Sequence, residues 1–107
     1  MSLDIWLTDD NDSDLWDGNI THNLGNMADS AGIYRVLWRP EELGLELAKD
    51  VQPYLEKGLI ELARFPDRMK QFEASNGWGT YQDLVTFVMG YIAACQKHPD
   101  ARVTVSR

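Results

Sequence analysis

Both ends of this chain alternate between apolar and polar residues. Leu3–Thr8 reads LDIWLT, with Leu3, Ile5 and Leu7 on one side and Asp4, Trp6 and Thr8 on the other. Arg102–Ser106 reads RVTVS, with Val103 and Val105 on one side. A period of two is the signature of a half-buried strand. Neither segment makes a stable sheet by itself, so the two are expected to pair. Everything between them must then leave the first strand and come back beside it.

Most of the intervening sequence reads as helix. Between Thr21 and Ala31, Leu24, Met27, Ala28 and Ala31 form one apolar stripe. Asn19 or Thr21 can cap its start and Gly32 its end. Gly25 inside it costs about 1 kcal/mol against alanine. Ile33–Trp38 fits either a helical turn or an extended piece. Arg39-Pro40-Glu41-Glu42 opens a helix, with an early proline and acids in the first turn.

Leu47, Ala48, Val51, Leu55, Leu59, Leu62 and Ala63 continue as a stripe to Arg64. Pro53 does not fit an undisturbed helix interior. The favoured reading is a break near Asp50, which caps a second helix with Pro53 in its first turn. Asp67–Phe72 adds a short helix. Thr80 and Asp83 make a capping box for a last helix. That helix buries Tyr81, Leu84, Val85, Val88, Ile92 and Cys95 and ends before Pro99. The expected fold is α+β: three to five helices packed on a small sheet formed by the N- and C-terminal strands. Residues 1–107 are expected to form a single domain. Residues 9–18 are expected to be a polar, acidic loop.

The charge is unevenly distributed. Seven aspartates (Asp4, Asp9, Asp10, Asp12, Asp14, Asp17 and Asp29) precede Arg35, and no Lys or Arg does. From Arg35 onward ten acidic residues balance ten basic ones, so the first third carries the whole net charge of −7. Such a field repels nucleic acid and anionic membranes and suits a basic partner. Cys95 is the only cysteine, which excludes an internal disulfide. No charged-then-apolar leader and no apolar run of spanning length is found, which points to the cytoplasm. The chain is 44% hydrophobic, enough for a core without staples or a cofactor.

Several residues are candidates for chemistry. Asp10, Asp12 and Asp14 begin like a calcium loop, but Leu15 stands where the turn glycine belongs and Thr21 where the bidentate glutamate belongs. They remain candidates for an irregular cation site only. His22 and Asn23 sit at a helix start. A hydrogen bond to backbone or sheet is the favoured role of His22, because no nucleophile or orienting acid accompanies it. Asn76, Gly77, Gly79 and Thr80 surround Trp78 in a tight loop that brings amides to a helix start, a possible anion or ligand site without the lysine of a P-loop. Cys95 and His98 are adjacent on a helix, but the stripe puts the thiol in the core. Trp16 and Trp78 fall in expected loops and are candidate interface anchors.

The order Asn19-Ile20-Thr21-His22-Asn23, then Asn76-Gly77-Trp78-Gly79-x-Tyr81, then His98-Pro99-Asp100-Ala101 before an alternating strand resembles a group of small bacterial and bacteriophage proteins. The resemblance runs from about Asn19 to the C-terminus and leaves out the Asp9–Asp17 stretch. It implies an α+β unit of bacterial or phage origin and carries over no catalytic residue. The expected function is a non-enzymatic protein-interaction module whose partner is a protein, with a basic one suited to the acidic first third of the chain. The alternatives are a small-ligand or enzymatic site around His22, Asn23 and the 76–80 loop, and an acidic mimic of nucleic acid.

Overall fold

The alternating ends pair as expected, with one further strand beside them. In the computed structural model, which describes residues 1–107, three antiparallel strands make one sheet. They are β1 (Ser2–Thr8), β2 (Asp14–Thr21) and β3 (Arg102–Ser106), in the order β2-β1-β3. Ile5 faces Val105 and Leu7 faces Val103 across one ladder. Leu3 faces Ile20, Ile5 faces Gly18 and Leu7 faces Trp16 across the other. These residues share the face that the helices cover. Asp4, Trp6, Asp17, Asn19, Thr104 and Ser106 share the open face.

The expected loop over residues 9–18 is therefore corrected. Only Asp9–Ser13 turns, and the chain is strand from Asp14 onward. The Asp9 carboxylate accepts the amides of Asn11 and Ser13, each at 2.9 Å, and Asp12 takes a left-handed φ of 59°. The strand was hidden because one of its inward positions is a glycine. A Cβ on Gly18 would lie 2.6 Å from the Trp16 ring and 2.7 Å from the Phe87 ring. Neighbouring aromatics fill the space that an apolar side chain would signal in the sequence.

Thr21 caps the next segment, its hydroxyl accepting the Asn23 amide at 3.2 Å. A 3-10 turn over His22–Leu24 leads into α1 (Gly25–Ser30), which ends before Gly32 at φ 80°. Ile33–Trp38 resolves as a short helix, α2 (Tyr34–Trp38), and Pro40–Leu43 is a 3-10 turn stopped by Gly44. The break expected near Asp50 falls before Ala48, where α3 (Ala48–Arg64) begins. Asp50 accepts the Leu47 amide at 3.1 Å, as an acid in a first turn should. Pro53 lies deeper than expected, inside the helix. Next come α4 (Pro66–Lys70) and α5 (Tyr81–Lys97). Both halves of the Thr80–Asp83 capping box form, each at 3.1 Å.

Five helices thus pack on one face of a three-stranded sheet, and the class is α+β. One cluster of 25 buried residues joins Leu3, Ile5 and Leu7 of the sheet to Leu55 and Leu62 of α3 and Leu84 and Tyr91 of α5. The outer edge of β3 is covered at its start, where Val103 N donates to Glu46 O and Ala48 N to Ala101 O, both at 2.9 Å. No helix is long and apolar enough to cross a membrane.

Candidate functional site

The end of β2 and the glycine loop ahead of α5 are far apart in sequence and meet in space. The Asn23 side-chain amide donates to Trp78 O at 3.1 Å, across 55 residues. Trp78 N in turn donates to Asn76 Oδ1 at 2.9 Å. Gly77 and Gly79 both take positive φ, 78° and 105°, which glycine tolerates and other residues resist. At Gly79 the approach is also close: a Cβ there would lie 3.0 Å from the Thr21 methyl and 3.3 Å from Asn23. The glycines let the loop turn and dock at once.

This docking leaves an open groove of about 1160 Å³. Gly18–Leu24 form one wall, Asp83, Thr86 and Phe87 of α5 form another, and Asn76–Gly79 close one end. Of the candidates named from sequence, His22, Asn23, Asn76, Gly77 and Gly79 line the groove together; Thr80 stands just outside it as the helix cap. The contributions of Gly18, Thr86 and Phe87 were missed. Nothing local marks a strand's flank or a helix's second turn as a wall.

His22 differs from expectation. Its backbone N donates to Met1 O at 3.3 Å, but its Nε2 is buried without a hydrogen-bond partner. The ring meets Trp38 edge-on at 6.1 Å. The imidazole also borders a smaller cleft of about 550 Å³ lined by Asn26, Asp29, Tyr34 and Ala74.

The expected anion site at the start of α5 is occupied by the protein's own carboxylates. Asp83 accepts the Thr80 amide, and Glu73 accepts the Tyr81 amide at 2.6 Å. Those donors are spent, and the carboxylates oppose any incoming anion.

Trp16 lies on a strand, β2, and not in the expected loop. It is stacked on Tyr91 at 5.0 Å and 17° and is 6.0 Å from Phe87, so it covers the protein's own core. Trp78 instead is 70% exposed at the rim of the groove. Asp10, Asp12 and Asp14 do not converge, and no three His, Cys, Asp or Glu side chains gather at ligand spacing. Asp9 organises that turn, and Asp12 faces Arg102 at 4.0 Å. Burial pushes the Cys95 thiol up to about 12, which makes it a poor nucleophile.

The groove therefore offers amide groups, backbone and the aromatics Trp78 and Phe87, with Asp83 the only ionisable side chain besides His22. Such a lining recognises by hydrogen bonding and contact. Comparison of the chain with protein-family models, with curated proteins and with solved structures gave no match.

Proposed function

We propose that this chain is a protein-interaction module, of bacterial or phage origin, that engages a partner protein through Trp78 and the adjoining groove. One observation carries the reading: Trp78 is 70% exposed while both its backbone groups are held, by Asn76 and by Asn23. A large aromatic on a fixed backbone loses little conformational entropy on contact, which is what a binding anchor needs. A cytoplasmic setting fits the single, unbridged Cys95.

A second reading, a small ligand in the groove or the neighbouring cleft, is favoured by the partnerless Nε2 of His22 between them. Buried polar atoms without partners are uncommon, and His22 lines both cavities.

The protein serves as bait in a nuclease-treated bacterial lysate, at low and high salt, beside Trp78→Ala. The expected result is a stoichiometric protein partner lost on the substitution. Trp78→Ala itself should shift stability by no more than about 0.5 kcal/mol, as is usual at the surface. A partner retained in full by Trp78→Ala sinks the Trp78 anchor. No partner at either salt, together with a thermal shift from a small-molecule screen, moves the conclusion to the second reading.

A further inference from the structure

In an antiparallel sheet the backbone N–H and C=O of a residue point to the same side, and that side alternates along the strand. Val103 of β3 donates outward to Glu46, so Arg102 and Thr104 turn toward β1. Their partners Thr8 and Trp6 then face β3, which leaves Leu3, Ile5 and Leu7 facing β2. Through the register Leu3–Ile20 and Ile5–Gly18, Ile20 and Gly18 face β1. Asp17, Asn19 and Thr21 therefore aim their amides away from the sheet. No strand lies beyond β2, and no turn or loop backbone reaches those amides.

The groove runs along this edge. It touches Gly18, Asn19, Ile20 and Thr21 in succession. Successive side chains point to opposite faces of a sheet, so a slot that meets all four takes in backbone along the strand, and it reaches Met1 and Ser2 where β1 begins. Across the slot stand Asp83, Thr86 and Phe87 in the first two turns of α5. A strand edge facing a helix across a groove is the arrangement that receives an extended segment as an added strand.

The charge selects the occupant. Asp83 borders the slot, Asp14 and Asp17 lie on β2 itself, and no Lys or Arg precedes Arg35. A second copy of this chain would bring its own acidic strand against the first. We propose that β2 is a docking edge for an extended, Lys- and Arg-rich segment of the partner protein, which adds as a fourth strand along the free edge of β2. This rests on the interaction reading and gives its partner a chemistry.

The test is selection of a displayed library of random linear peptides on the whole protein. An enriched peptide is then synthesised with single N-methyl amides along its length, and binding is followed by calorimetry and by amide exchange. The enriched sequences should be basic and bind more weakly as salt rises. N-methylation should weaken binding by about tenfold or more at alternate positions only. The Asn19 and Thr21 amides, which have no backbone acceptor in the free protein, should exchange more slowly in the complex. Peptides that bind while those amides keep exchanging, or that tolerate every N-methyl group, overturn strand addition; loss of the same peptides on Trp78→Ala would still uphold the module. Enriched peptides without basic residues overturn the charge assignment. If the library enriches nothing, docking of a linear segment falls, and the lysate experiment decides the module separately.

Discussion

Two tyrosine hydroxyls show how much one hydrogen bond decides at the scale of a residue. The Tyr81 hydroxyl donates to Leu62 O at 2.7 Å. The Tyr91 hydroxyl is buried with no partner, while its ring stacks on Trp16. Burial raises the Tyr91 pKa well above its ordinary 10.0, and the nearby Cys95 thiol adds to the rise. Burial likewise lifts Cys95 from 9.0 to about 12. Below about pH 8 both groups keep their protons, folded or unfolded. Above it the unfolded chain releases protons that the folded chain retains. Stability is therefore lost with rising pH, first through Cys95 and then through Tyr91, at about 1.4 kcal/mol per pH unit for each group. Tyr91→Phe keeps the stacking and removes a hydroxyl whose desolvation nothing offsets. It should raise stability by about 1 kcal/mol near neutral pH and make the decline above pH 10 shallower. Urea unfolding across this pH range checks both, and a Tyr91→Phe protein less stable at neutral pH would show that the hydroxyl has a partner.

At the scale of elements, α3 and α5 each contain an interior glycine, with opposite consequences. Glycine costs about 1 kcal/mol against alanine in a helix. Gly90 of α5 is exposed, and a Cβ there would meet nothing within 4 Å. Gly58 of α3 is buried, and a Cβ there would overlap the side chain of Ile33. Ile33 is 1% exposed and β-branched, so it has little freedom to move aside. Gly90→Ala should stabilise by about 1 kcal/mol, whereas Gly58→Ala should destabilise by about 1–2 kcal/mol once overpacking outweighs propensity. Thermal melts of the two variants give the signs. Equal stabilisation in both would mean that α3 can draw back from Ile33 without loss.

For the whole molecule, the central place of β1 ties the two ends of the chain together. β1 is flanked by β2 and β3, and β3 also holds the approach to α3 through Glu46 and Ala101. Arg107 reaches Trp38 O at 2.8 Å and the Glu41 carboxylate at 3.0 Å. Deleting residues 102–107 removes one of two ladders and leaves β1–β2 as a lone hairpin, which is marginal in water. The shortened chain should lose its cooperative thermal transition, followed by circular dichroism. A sharp transition that survives would mean that the helical layer folds without a closed sheet.

What the sequence by itself determined was local in origin. The period of two in LDIWLT and RVTVS required strands, and their mutual need for a partner required them to meet. The Thr80–Asp83 box and the cap at Thr21 required helix starts there. The burial of Leu84, Val88, Ile92 and Cys95 in α5 followed from spacing alone, whereas the buried Phe87 and Tyr91 fell outside that stripe. Tertiary structure decided the rest. It made β2 a strand, because Trp16 and Phe87 fill the space over Gly18 that a local pattern would have shown as an apolar residue. It turned Ile33–Trp38 into helix and put Trp16 over the core. It also made the groove, which exists only because Asn23 meets Trp78 across 55 residues. Periodicity records which face of an element is apolar. Whether a polar edge is then covered, or left open as on β2, depends on which distant segment arrives beside it.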